Sequence, residues 1–126
     1  MRAVSELFTY NYLADYDTLI GKVNVPSISK EEANAILDFI VSETGKQHAH
    51  TGYLLDVMEI AEVSNPVIGV LMKSLEVVRK VNNYMVLVMS EQLLNDIMLA
   101  HPEMFDYYAV FHSTGDALKF IQKHRG

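Results

Sequence analysis

The chain has 126 residues, half of them apolar, with no cysteine and a formal charge of −6 from ten basic against sixteen acidic side chains. That length fits a single domain; the missing cysteines exclude a disulfide framework, a thiolate nucleophile and a zinc ribbon, and the acidic balance opposes a phosphate backbone, so no nucleic-acid partner is expected. No window reaches the ~18 to 20 uninterrupted apolar residues of a spanning helix and no leader pattern opens the chain, so the expectation is a soluble cytoplasmic protein, not inserted in a membrane, whose partner is a protein or a small ligand.

In chain order, Leu7 to Leu13 mixes aromatic and β-favouring residues, "ADYD" supplies a turn, and Thr18 to Val25 alternates apolar and polar positions. Together they predict a β-hairpin. "SISKEE" then predicts a helix start in which Ser29 caps and Glu32, three residues later, completes a capping box. Ala33, Ile36, Leu37 and Ile40 continue at helical spacing, and the pattern stops near Gly45. Tyr53 to Met58 reads as a strand, Pro66 to about Asn82 as a helix, and Tyr84 to Met89 as a strand without a polar position, which a parallel sheet covered on both faces demands. Glu91 to His101 reads as a helix with Leu93, Leu94, Ile97 and Met98 inward, Tyr107 to His112 as a strand, and Asp116 to Lys123 as a closing helix. The expected fold is α/β: a mixed sheet of about five strands with an N-terminal hairpin and about four helices, in one domain spanning residues 1–126.

The joint "EVSNPVIGVL" carries the main question about function. Asn65 suits an N-cap and Pro66 the first helical position, so these residues do no more than start a helix on one reading. On another, the outward amides of that first turn would hold a phosphate, with a serine as switch. His48 and His50, in the stretch before the third strand, lack the third and fourth ligands that a metal site needs. His101, His112 and His124 are scattered, and no nucleophile elbow, Walker loop or dinucleotide fingerprint occurs. Neither enzymatic activity nor a cofactor or metal is expected.

The helix after Pro66 shows two apolar rows. Ile68, Leu71, Leu75 and Val78 form a core-facing stripe, and Val67, Val70, Ser74, Val77 and Val81 lie beside it. The second row either widens the buried face or stays exposed as a docking ridge, with Val67, Val70, Ser74 and Val77 touching a partner.

With that pattern assembled, the chain resembles the STAS domain family, the anti-sigma factor antagonists and their relatives. In that family a strand ending in Asp is followed, at a fixed interval, by Asp-Ser-Ser-Gly-Leu-Gly-Val-Leu opening a long helix. "YLLDVMEIAEVSNPVIGVL" lies on this without a gap, with Asp56 on the first Asp, Ser64 on the second, and Gly69, Val70 and Leu71 on Gly-Val-Leu. "YMVLVMSEQLLNDIMLAHPEMFDYYAVFHSTGDALKFI" is similar to the family's later strands and helices. The usual glycine before the first helix is missing from "VNVPSIS".

The resemblance implies a regulatory protein-interaction module, with an anti-sigma kinase, a STAS paralogue or a transporter subunit as partner, and homodimerisation through the first strand is a further expectation. It places Asn65 and Pro66 where phosphorylated members carry their serine pair. Pro66 cannot accept phosphate, so either the switch is abandoned and binding is constitutive, or Ser64 has taken it over. A small-ligand or nucleotide sensor is the alternative, with its pocket at the carboxyl ends of the strands near Asp56, Ser64 and Ser90.

Overall fold

The computed structural model describes residues 2–46, 50–79, 82–102 and 109–125. A short helix α1 (Val4–Leu7) leads into β1 (Phe8–Leu13), a 3-10 turn (Ala14–Tyr16) and β2 (Thr18–Val23). Then come α2 (Lys30–Lys46), β3 (His50–Asp56), α3 (Asn65–Arg79), β4 (Asn82–Val88), α4 (Glu91–Ala100), β5 (Ala109–Phe111) and α5 (Thr114–Arg125). The strands lie in the order β1-β2-β3-β4-β5. β1 runs antiparallel to β2, and every later pairing is parallel. The expected α/β architecture with its opening hairpin is therefore present, with α1 as a fifth helix.

The hairpin closes at Asp17, whose left-handed backbone (φ 48°, ψ 49°) suits an aspartate, the amide bonding back to the Ala14 carbonyl at 3.2 Å. Gly21 sits under Phe8 and Tyr53: a Cβ there would lie 2.5 Å from the Phe8 ring and 2.8 Å from the Tyr53 hydroxyl. Glycine is the residue that allows this aromatic layer, completed by Tyr10 and Phe39, to close over the sheet.

Alternation along the parallel strands separates two cores. Tyr53, Leu55 and Leu87 face α2, α3 and α4 and join the larger cluster with Ile36, Ile40, Val67, Leu71, Leu93 and Ile97. Leu54, Val86 and Val88 point to the opposite side, where Ala117 and Ile121 of α5 cover them. Both faces of β3 and β4 are thus apolar because both are roofed by helices. The Tyr53 hydroxyl is fully buried without a hydrogen-bond partner, and burial first, then its neighbour Tyr10, pushes its pKa well above the usual phenol range.

Several boundaries differ from the sequence expectations. β3 begins three residues earlier than expected and ends at Asp56, so His50 opens a strand rather than lying in a loop, while His48 falls outside the described residues. Leu7 closes α1, and β2 ends at Val23 because Val25 turns into the connection to α2. Met98, expected inward, is exposed, since the buried row of α4 is Leu93 and Ile97. Ala109–Phe111 form β5; Tyr107 and Tyr108 lie outside the described residues.

Candidate functional site

The parallel strands all end on one side of the sheet, and the connections leaving them there bring the joint of α3 against the joint of α2. The Ala61 amide donates to the Pro26 carbonyl at 2.9 Å, tying the β3–α3 connection to the β2–α2 connection. Between them lies an open cleft of about 330 Å3, lined by Ser27, Ile28, Glu62, Val63 and Ser64. Ile28 and Val63 are half-buried, whereas Glu62 and Ser64 are exposed. Met58, on the same connection, leaves a large apolar side chain in solvent.

At the start of α3 the Ile68 amide donates to the Ser64 carbonyl at 3.0 Å, the first intrahelical bond. Ser64, not Asn65, therefore holds the N-cap position, with Asn65 and Pro66 in the first turn. The missing N–H of Pro66 still costs nothing there, because the early amides have no intrahelical acceptor. Ser64, Asn65 and Pro66 are all exposed.

The first half of the docking ridge expected along α3 is buried. Val67 is 0% and Val70 6% exposed, beside Ile68 and Leu71, which are also buried. α3 packs on α2 as well as on the sheet, so both apolar rows are covered over its first two turns. The side chains of Ser74 and Val77 lie outside the described set. The outer strip is instead Asn65, Gly69, Lys73 and Glu76, with Met72 half-buried beside it. A Cβ on Gly69 would meet nothing within 4 Å, so this glycine is not demanded by packing and leaves a low spot in the helix surface. Sequence periodicity could have found that strip as the polar complement of the two apolar rows.

Of the three residues expected around a pocket, Asp56, Ser64 and Ser90, two have side chains engaged in hydrogen bonds. Asp56 is nearly buried at the end of β3; its Oδ1 accepts from the Met58 amide (3.0 Å) and its Oδ2 from the Thr114 hydroxyl (3.1 Å). It thereby joins the end of β3 to the start of α5. Ser90 caps α4, its Oγ accepting from the Leu93 amide at 3.1 Å. Neither residue lines the cleft that contains Ser64. Nearby, His112 places Nδ1 2.7 Å from the Met89 carbonyl, which can only accept, so Nδ1 carries the proton. Among the described residues no cluster of His, Asp and Glu could hold a metal ion, and no helix is long and apolar enough to cross a membrane.

The capping box expected for α2 is present and follows directly on the cleft residues Ser27 and Ile28. The Glu32 amide donates to Ser29 Oγ at 3.1 Å, and the Ser29 amide donates to Glu32 Oε1 at 2.9 Å. The third member, Arg2, thirty residues upstream, carries no local signal of its role. Its Nε and Nη2 donate to the two Glu32 oxygens at 2.8 and 3.1 Å, and Nη2 also reaches the Ser27 carbonyl at 2.8 Å. The Arg2 hydrogen bond, followed by that from Ser29, holds the Glu32 carboxyl at about 2. Of the acidic residues nearby in sequence, Glu62 lines the cleft and is exposed, and Glu59 on the same connection and Glu31 in the first turn of α2 are exposed too.

No family model and no curated protein matches the chain. Solved structures do match in fold. A protein of Thermotoga maritima, provisionally assigned as an anti-sigma factor antagonist, superposes with a TM-score of 0.71 at 16% identity, over 91% of this chain and 94% of that one. An anti-sigma factor antagonist (STAS) domain protein of Planctomyces limnophilus gives 0.70 at 11% identity, over 90% and 96%. The murine Slc26a9 anion transporter gives 0.69 at 20% identity; 85% of this chain corresponds to 18% of the transporter. The fold is that of the STAS domain.

Proposed function

We propose that this chain is a cytoplasmic, non-enzymatic protein-interaction module, a single STAS domain that docks a partner protein in the cleft at the start of α3 and along its outer strip. The observation that carries this reading is the cleft itself: half-buried Ile28 and Val63 lie with exposed Glu62 and Ser64 where α3 begins, next in sequence to exposed Asn65. Apolar area rimmed by charge is what a protein partner covers. The partner presents an apolar side chain flanked by basic groups, which exposed Glu62 attracts. An anti-sigma kinase or a STAS paralogue fits the likeness to anti-sigma factor antagonists.

Docking is constitutive. Pro66 stands where the resemblance puts the phosphorylated serine, and a proline in the first turn leaves neither an acceptor hydroxyl nor an amide. A phosphate would add close to two negative charges to a cleft already lined by Glu62. The test is capture from source cells by the wild-type chain and by Glu62→Lys, followed by intact-mass measurement of the bait. A partner retained by the wild type, lost with Glu62→Lys, and a bait mass without added phosphate support the reading. Equal retention by both baits, or a mass increment of one phosphate, contradicts it.

A second reading, a STAS subunit of a transporter complex, is favoured by the likeness to the Slc26a9 segment. It predicts that the captured partner is an integral membrane protein.

A further inference from the structure

Next to the cleft, reaching its residue Ser27, is a contact that packing alone does not require. Glu32 is fixed in the first turn of α2 with its side chain 7% exposed, while the Arg2 side chain that covers it is 44% exposed. Oε1 receives the Ser29 amide and Arg2 Nη2; Oε2 receives Arg2 Nε and, at 3.2 Å, the Arg2 amide. The Ser27 carbonyl adds a third acceptor in reach of the same guanidinium, and Ser27 is also a cleft residue. Two carboxylate oxygens and one carbonyl thus converge on a planar, forked donor, an arrangement that selects guanidinium over ammonium.

The two partners are held very differently. Glu32 belongs to a capped helix and cannot move without it. Arg2 directly precedes the N-cap of α1, Ala3, whose amide donates to Glu6 Oε2 at 3.3 Å and whose carbonyl accepts from the Glu6 amide at 3.0 Å. The half-exposed Arg2 side chain can turn away while Ala3 and α1 stay in place. What remains is a nearly buried carboxylate that has lost both guanidinium bonds and keeps the Ser29 and Arg2 amides, beside the Ser27 carbonyl of a cleft residue.

The geometry points to a guanidinium-binding site formed by Glu32 and the Ser27 carbonyl, filled in cis by Arg2 and, in the docked complex, by an arginine of the partner. The second half rests on the docking reading above; the first does not. Arg2 is then an internal competitor that keeps the site satisfied until a partner arginine replaces it.

The test uses amide NMR spectra of the wild type, Arg2→Ala and Arg2→Ala/Glu32→Gln, titrated with methylguanidinium. In Arg2→Ala, saturable shifts at the Ser29 and Glu32 amides are expected, and none in the wild type at the same concentrations. Glu32→Gln is expected to weaken binding about tenfold or more, because a charge-assisted pair is lost, and methylammonium is expected to bind more weakly than methylguanidinium. Absence of saturable shifts in Arg2→Ala, shifts that survive Glu32→Gln, or an Arg2→Ala chain that does not fold each overturns the site, the last by making Arg2 a structural brace. A short Ile-Arg amide peptide separates the two halves. Shifts at Ser29 and Glu32 together with Val63 and Ser64 support an arginine entering from the cleft, whereas shifts confined to Ser29 and Glu32 leave the guanidinium site standing and remove the docking reading.

Discussion

The two sides of α3 use the same helix for opposite purposes. On the inner side Val67, Ile68, Val70 and Leu71 are buried between α2 and the sheet. On the outer side Asn65, Gly69, Lys73 and Glu76 leave the surface open beside the cleft. Val67 and Val70, which look like part of a docking ridge in the sequence, belong to the core, and the surface proposed for a partner is the one with a glycine. The difference teaches that a second apolar row marks an interface only when nothing in the same chain packs against it.

That comparison breaks most visibly at Val70. Val70→Asp puts a carboxylate where the side chain is almost fully enclosed and is expected to cost more than about 4 kcal/mol, enough to unfold the chain, in a denaturant titration. A variant that stays folded with a changed surface would place Val70 outside the core. Next in size, Asp56→Ala removes the acceptor shared by the Met58 amide and the Thr114 hydroxyl. A loss of about 1 to 3 kcal/mol is expected. If Asp56 served a ligand rather than the fold, stability would instead be preserved or raised.

The third change has the opposite sign. Tyr53→Phe deletes the buried hydroxyl that has no partner, and a gain of about 1 kcal/mol is expected as a higher thermal midpoint. A decrease would mean that the hydroxyl is bonded, for instance to an enclosed water.

The smallest effect is a pH dependence on the cleft side. Glu32 has its carboxyl lowered from 4.5 to about 2, first by the Arg2 hydrogen bond and then by the Ser29 amide. A folded-state value below the unfolded one stabilises the fold above about 4.5, and that contribution is lost as pH falls from there towards 2. Arg2→Ala is therefore expected to flatten the acid limb of a stability-against-pH curve inside that window, with the loss of stability fully present at neutral pH and the two curves converging as pH falls towards 2. Parallel curves for the two proteins would remove the ion pair from the account.

Much of the architecture was legible in the chain. "YMVLVM" announces a strand covered on both faces because it has no polar position, and Ser29 with Glu32 announces the start of α2 because each satisfies the other's amide. The α3 joint was legible only to within a residue, since Ser64 and Asn65 are both good caps and local propensity does not choose between them. α1 escaped notice because four residues carry no periodicity. The cleft and the Arg2 contact were beyond local reading: Ser27 and Val63 meet only after β3 is laid beside β2, and Arg2 meets Glu32 only after α1 folds onto α2. Which of two apolar rows faces outward depends on how α2 packs, and no spacing within α3 contains that information.

The direct test of the central claim is Gly69→Arg. The helix has open space there, and arginine is a better helix former than glycine by roughly 0.5 to 1 kcal/mol, so the thermal midpoint is expected to hold or rise. Calorimetric titration of the captured partner into wild type and variant is expected to show binding to the first and none to the second. Equal affinity for both would contradict docking on the outer face of α3.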